Sequence, residues 1–436
     1  MPTYQAPGVY VEELATLPPS VAEVATAIPV FIGFTERGAA DQAEVAELST
    51  LLEYERRFGG AHPTAFAVDE ADEVTPAGPS SPTWKLYYAL SLYFRNGGGR
   101  CYVISIGRYG AQASQEHYAR GLAALERHDE PTLVVMPELV DLPQADRDAV
   151  GQQALALCAK LGDRFAILDV AAGDVDAFRD GLGSDHLSYG AAYHPYLLTA
   201  LSHHYDASAV TLREGEQETN LAAIATTNTA RYNLIKRRLA ESRVVLPPSA
   251  AVAGAYARTD RERGVWKAPA NISLSAVIGP TEQITSDEQE RLNVDPSSGK
   301  SVNAIRAFAG KGTLIWGART LAGNDNEWRY VPVRRLFLMI EESARKATSF
   351  AVFEPNDANT WLKVKGMLES YLYGLWEQGA LQGATPEAAY YVNVGLGKTM
   401  TPQDVLEGRM IVEIAAAAVR PAEFIVLRFS HKLIDA

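Results

Sequence analysis

Cys101-Tyr102-Val103-Ile104-Ser105-Ile106, Thr132-Leu133-Val134-Val135-Met136 and Phe165-Ala166-Ile167-Leu168-Asp169-Val170 are three short runs rich in apolar and β-branched residues. Each has the length and composition of a strand buried on both faces. Between them lie Gln115 to Arg127 and Ala145 to Leu161, both with apolar residues at helical spacing. Strands alternating with helices of this length make right-handed βαβ units, and so a parallel sheet covered on both faces. Ser188 to Tyr193 adds a further strand, and Ile28 to Phe34 is a buried-strand run ahead of them.

Outward from this stretch the chain is less regular. Trp84 to Phe94 has helical spacing and Gly97-Gly98-Gly99 ends it. Residues 61–82 hold Asp69, Glu70, Asp72, Glu73 and four prolines, which predicts an acidic surface loop. Ala230 to Ala240 is a short helix in an otherwise irregular region, and Pro247-Pro248 interrupts the chain after it. Gly254 to Asn271 is dense in charge, glycine and proline, and reads as a long structured loop. Pro332 to Ser349 is helical, with Leu336, Met339, Ile340, Ala344 and Ala347 on one stripe. Asp357 to Gln378 is a second helix, with Trp361, Val364, Leu368, Leu372 and Leu375 on its apolar face. Strands come next at Tyr390 to Val394, Met410 to Ala417 and Glu423 to Phe429, the last two hinged at Arg420-Pro421.

At the other end, Val9, Tyr10 and Val11 are strand-forming, while Pro2, Pro7 and Pro18-Pro19 bar a central-strand role. The expected fold class is an α/β domain with a mainly parallel sheet plus a C-terminal α+β domain. Extended strand-forming arms are expected at both termini. The domains predicted are an N-terminal arm 1–24, an α/β domain 25–322 with room for a small insertion at 199–250, an α+β domain 323–418 and a C-terminal arm 419–436.

Composition narrows the function. In 436 residues, 40 Lys and Arg stand against 53 Asp and Glu, a net charge of −13. Residues 1–84 hold 13 acids and three arginines, and no basic cluster suits nucleic acid. Two cysteines, Cys101 and Cys158, both within apolar stretches, exclude a disulfide scaffold and suit a reducing compartment. The opening Met1-Pro2-Thr3-Tyr4 lacks a basic and apolar leader, and no apolar run reaches membrane-spanning length. Folding in a cytoplasm, with no direct membrane insertion, is the expectation.

A search for catalysis finds no set. Gly395-Leu396-Gly397-Lys398-Thr399 resembles part of a phosphate loop, but position 392 is Val where that loop needs Gly, and Pro402 comes soon after. The strand-to-helix turns carry no Gly-x-Gly-x-x-Gly. His203 and His204 are adjacent and point apart, and no metal-ligand spacing occurs. Asp169 ends a buried strand and reads as a helix cap more readily than as a catalytic carboxylate. No catalytic residue, cofactor or metal is assigned, and the chain is not expected to be an enzyme. The alternative is an α/β enzyme or nucleotide-binding protein with incidental terminal strands. What remains is two strand-like arms, which gain most by adding to the sheet edge of another chain. A contact of this head-to-tail kind builds rings or open helices.

The residues that would do this also carry a resemblance. Tyr4 and Ala6 to Glu13, with Ile32 to Gly38, are similar to the N-terminus of contractile tail sheath proteins. So are Gly254 to Asn271, Trp316-Gly317-Ala318-Arg319-Thr320, Tyr330 to Arg335 and the ending Phe424 to Leu433, in the same order along nearly the whole chain. The resemblance implies a subunit of a contractile injection machine, as in a phage tail or an extracellular contractile injection system. Copies of the chain would stack as hexameric rings in a helical sheath around an inner tube, with baseplate and cap proteins and sheath paralogues as further partners. The arms would link neighbours by strand addition, through Val9, Tyr10 and Val11 at one end and Ile425, Val426, Leu427 and Phe429 at the other. The α/β domain would face outward and the C-terminal domain the tube. Lys363 and Lys365 lie off the apolar stripe of their helix, either as a solvated face or as contacts to an acidic tube surface. Assembly in the cytoplasm would be followed by life in a phage tail or in a released or anchored particle.

Overall fold

The computed structural model describes residues 20–78, 83–215 and 217–424. Nine strands form the main sheet. In spatial order they are β13 (Ile272–Ser273), β16 (Gly312–Ile315), β15 (Val302–Phe308), β8 (Gly190–His194), β7 (Phe165–Asp169), β6 (Leu133–Val135), β1 (Pro29–Thr35), β5 (Cys101–Arg108) and β2 (Glu44–Leu48). The run from β15 to β5 is parallel throughout, as the alternating strands and helices require, and β2, β16 and β13 are antiparallel additions at the two edges.

Successive residues of the central strands enter opposite cores, because side chains alternate across a pleated sheet. Phe31, Val103, Val135 and Ile167 face α2 (Leu86–Arg95) and α7 (Ser249–Arg263) in one core. Val30, Ile32, Ile104 and Leu168 face α3 (Gln115–Leu125), α4 (Gln144–Leu161) and α5 (Val175–Gly181) in the other. α1 (Leu51–Phe58) contributes Tyr54 and Phe58 to the first core. α8 (Ser286–Asn293), held by a Thr285–Glu288 capping box, leads into β15. Cys101 and Cys158 are free and buried, and burial pushes both thiols up to about 12.

Two smaller sheets are formed by strands interleaved in sequence with those of the main one. β11 (Gln217–Asn220), β10 (Val210–Glu214), β3 (Phe66–Val68) and β4 (Val74–Pro76) form one. With α6 (Thr229–Glu241) they enclose a separate core of Phe66, Val68, Val210, Leu212, Ile235 and Leu239. The acidic stretch 61–82 is therefore not only loop: its apolar residues form two strands, and one of these pairs with β10, far along the chain, a partnership invisible to local pattern. β12 (Arg243–Leu246), β9 (Leu197–Ser202) and β14 (Val277–Pro280) form the other sheet.

The chain divides into two compact units. Of the described residues, one comprises Val24–Glu342 with Arg420–Phe424, and the other Ser343–Val419 with Ser20–Glu23. The boundary falls inside α9 (Val331–Ala347). The smaller unit contains α10 (Ala358–Glu377), α11 (Pro386–Ala389), α12 (Pro402–Leu406) and a two-stranded sheet of β17 (Tyr390–Val394) and β18 (Val412–Ala416).

One expectation fails outright. Within Gly254 to Asn271, predicted as a loop, residues up to Arg263 belong to helix α7, and every residue from Ser249 to Ala257 is buried. A helix covered all round has no apolar stripe, so its period leaves no trace in the sequence. Its charges are met by long-range partners, such as the Ser273 carbonyl for Arg258 and the Gly97 carbonyl for Arg261.

Candidate assembly interface

The smaller unit is built on α10. Asp357 caps it, accepting from the N–H groups of Asn359 and Thr360 at 2.9 and 3.0 Å. Val364, Met367, Leu368, Leu372 and Leu375 form its buried stripe, and the helix packs on β17. β17 and β18 pair antiparallel over five residues, from Tyr390 opposite Ala416 to Val394 opposite Val412. Beyond β18 the chain is tied back at Ala417 and Val419, through Gln382 N–H to Ala417 O at 2.7 Å and Val419 N–H to Ala380 O at 3.3 Å.

Among the described residues neither strand of this hairpin has a second strand partner. No residue of β18 is fully buried, and Tyr391 on β17 is exposed. A two-stranded sheet is marginal in water, and its outer edges present unpaired backbone groups. The same unit holds eight of the eleven large apolar side chains left exposed among the described residues: Val352, Phe353, Leu362, Tyr373, Tyr391, Leu396, Leu406 and Ile411. Phe353 stands out, fully exposed with φ of 69°, a left-handed conformation that disfavours a bulky residue. Open edges beside uncovered apolar surface are what an unfinished interface looks like.

Opposed to this, the groups where chemistry was sought are bonded to the chain itself. β1 and β6 are neighbours from which the chain departs in opposite directions, toward β5 and β7, and ligands of open α/β sheets bind at such a crevice. Here the chain's own Glu138 lines it, beside a cavity of about 650 Å³, with its carboxylate turned to backbone donors. Its Oε2 accepts from Phe34 N–H at 2.8 Å, and its Oε1 from the N–H groups of Lys85 and Leu86 at 2.7 and 2.9 Å, at the N-terminus of α2. A Cβ on Gly33 would lie 2.7 Å from that Oε2, so the glycine makes room for the carboxylate. Burial raises Glu138 to about 7. Lys85, itself buried, reaches Asp141.

Asp169 accepts from Ser249 N–H at 2.8 Å and so caps α7, a helix eighty residues on and not the next one in sequence. The Gly395–Thr399 segment is a tight turn in which Lys398 and Thr399 N–H groups bond to Gly395 O, with Lys398 exposed. The N–H groups of Lys398 and Thr399 are thereby spent on the chain itself. His203 is buried against Thr64, and His204 N–H is held by Tyr88 Oη at 2.7 Å. Among the described residues no group of His, Cys, Asp and Glu has metal-binding geometry, and no helix is long and apolar enough to cross a membrane.

Of the residues singled out in the sequence, Val9, Tyr10, Val11, Ile425, Val426, Leu427 and Phe429 lie outside the described residues. Lys363 is exposed on α10, and Lys365, half-buried, pairs with Glu369 at 3.4 Å. Phe353, Leu406 and the uncovered hairpin were not foreseen, because an exposed apolar residue in a loop has the same sequence signal as a buried one.

Comparison with known proteins agrees with this reading. Residues 190–321 match the phage tail sheath protein central domain, and residues 323–432 the phage tail sheath C-terminal domain. Together these cover more than half the chain, which belongs to the phage tail sheath family. Among curated relatives, the chain is 26% identical to the tail sheath protein of Vibrio phage KVP40 (isolate Vibrio parahaemolyticus/Japan/Matsuzaki/1991) over 194 residues, 44% of this chain and 27% of that protein. It is 30% identical to a putative prophage major tail sheath protein of Pseudomonas aeruginosa (strain UCBPP-PA14) over 139 residues, 31% of this chain and 34% of that protein. The matched segments thus span about a third or less of these relatives. Solved structures match along the whole length. A chain of the anti-feeding prophage helical sheath in its contracted state is 32% identical with a TM-score of 0.69, over 99% of this chain and 100% of that one. A chain of the PVC sheath complex, an extracellular contractile injection system in its contracted state, is 30% identical with a TM-score of 0.67, over 99% of both. A chain of the anti-feeding prophage baseplate structure is 33% identical with a TM-score of 0.69, over 99% of this chain and 100% of that one.

Proposed function

We propose that this protein is a structural, non-catalytic subunit of a contractile injection particle. Copies polymerise as stacked hexameric rings in a helical sheath around an inner tube, above a baseplate. On triggering, the sheath shortens and drives the tube through a target membrane. The observation that carries this is the β17–β18 hairpin, whose edges have no further strand partner among the described residues, in a unit rich in exposed apolar side chains. An N-terminal strand from one neighbour, with Val9, Tyr10 and Val11, and a C-terminal strand from another, with Ile425, Val426, Leu427 and Phe429, complete that sheet. Each added backbone hydrogen bond nets only about 0.5–1.5 kcal/mol, but the mesh repeats at every subunit. The metastable extended lattice supplies the energy of contraction through a bistable packing, without nucleotide hydrolysis. The α/β unit faces outward and α10 the tube, with Lys363 and Lys365 toward an acidic tube surface. The particle is assembled in a cytoplasm, with tube, baseplate and cap proteins and sheath paralogues as partners.

Whole-length likeness to injection-particle chains, including one from a baseplate structure, supports a stand-alone particle over a phage tail. The test is negative-stain microscopy of the chain expressed alone and with its tube protein. Hollow ridged cylinders that vanish on deletion of residues 1–18, while the truncated chain stays folded, are expected. A dispersed full chain in both preparations overturns the reading.

A further inference from the structure

Three of the blocks that carry the family resemblance, 254–271, 316–320 and 330–335, contribute nothing to the hairpin. In the α/β unit they build two buried arginine clasps. Arg319, 5% exposed, donates from Nε and Nη2 to the two carboxylate oxygens of Glu423 at 2.8 and 2.5 Å, and from Nη1 to Gly323 O at 3.3 Å. Its backbone is held on both sides by Asn303, which accepts from Arg319 N–H and donates to Arg319 O, each at 2.8 Å. Tyr330 stacks under the guanidinium and donates its hydroxyl to Glu423 at 3.3 Å.

Arg335, 3% exposed, lies over the ring of Tyr256 at 4.6 Å. It donates to both carboxylate oxygens of Asp260 at 3.1 and 2.5 Å and to Thr26 O at 2.9 Å, while Thr26 Oγ1 donates to Asp260 at 2.6 Å. Thr26 and Glu423 are the roots of the two arm segments. Withdrawing a guanidinium from water costs more than a single pair repays unless the geometry is complete; Arg319 meets this with Glu423 at the base of one arm, and Arg335 with Asp260 of α7, both partners bonded to Thr26 at the base of the other.

We propose that Arg319 and Arg335 are positioning residues for assembly: each fixes where and in what direction an arm leaves the α/β unit, so that its strand meets the hairpin of a second copy in register. This rests on the sheath reading.

The experiment uses the full chain carrying Glu423→Gln or Arg319→Lys, with Thr26→Val for the N-terminal clasp. The glutamine keeps size and loses charge, and the lysine keeps charge and loses the fork. Expected are monomers that still fold, with a lowered melting temperature and faster hydrogen exchange at residues 420–424 in the first two, and a critical concentration for polymerisation raised roughly tenfold. A wild type that polymerises, with all three variants matching its critical concentration and lattice spacing, overturns the clasps and leaves the sheath reading intact. A wild type that forms no polymer even with the tube overturns both. Should one variant misfold, the other two decide.

Discussion

Glu138 Oε2 accepts the backbone N–H of Phe34 at 2.8 Å, across the crevice where β1 and β6 part. Asp169, one strand along, does the same for Ser249 at 2.8 Å. Two internal carboxylates thus hold backbone donors where other α/β proteins hold ligands, and burial raises each of them to about 7. An acid raised in the folded state binds its proton more tightly there than unfolded. Its contribution to stability is therefore present below about 4 and lost as pH rises through about 7. Between pH 6.5 and 8 the loss is about 1 kcal/mol for each group. His194 and His203, lowered by burial, bind a proton more readily unfolded than folded, so they partly oppose this fall near pH 6.5. The melting temperature of the monomer is expected to fall between pH 6.5 and 8. Asp169→Asn, which keeps the acceptor for Ser249, flattens the slope, and an unchanged slope counts against the assignment.

Gly254 lies in α7 against α2. A Cβ there would sit 2.6 Å from Tyr93 O and 2.8 Å from Asn96 Cβ, and the backbone carbonyl at the end of α2 cannot swing aside. Gly254→Ala ordinarily favours a helix by up to ~1 kcal/mol, so a gain would mean that the two helices are free to part. The expected result is the reverse, a loss of about 1–3 kcal/mol from overpacking, read by thermal or denaturant unfolding of the monomer.

The main sheet was legible in the sequence because β5, β6 and β7 are continuous apolar runs with helices between them, and local pattern is enough for that. α10 was legible because one face is buried and one is not. α7 was not, because burial on every side removes the period, and its charged end looks like a surface loop until Arg335 is placed beside Asp260. β3 and β4 were lost inside acidic sequence, since their partner β10 lies far along the chain. Of the proposed assembly interface, the sequence offered only strand-forming composition at the termini. The hairpin proposed to receive it has an edge that pairs with nothing among the described residues, and no residue spells that out.

Phe353 comes just after the 3₁₀ turn Thr348–Ala351, fully exposed and left-handed at φ 69°. That conformation costs an L-residue ~1–2 kcal/mol, and burial does not repay a phenyl ring left bare. A functional contact is the reading that accounts for both features. Phe353→Asn, suited to that backbone, is expected to stabilise the monomer by up to ~1 kcal/mol and yet to weaken polymerisation. The opposed signs separate a contact from a folding role: polymers that form as readily as the wild type's would show that the ring touches nothing.

Lys363 and Lys365 sit on the same helix but are not equivalent. Lys365 is half-buried and engaged with Glu369, whereas Lys363 is exposed. If α10 faces an acidic tube, Lys363 carries more of the attraction. A single exposed pair is worth no more than about 1 kcal/mol, but the contact recurs at every subunit along the tube. Lys363→Glu should leave self-assembly of the sheath unchanged and weaken co-sedimentation with the tube protein, more at low salt than at high salt because screening shortens the reach of surface charge. Lys365→Glu should do less to tube binding and should slightly destabilise α10, by placing two acids four residues apart. Equal co-sedimentation of wild type and Lys363→Glu at low salt would make this a solvated helix face and move the tube contact elsewhere on the unit.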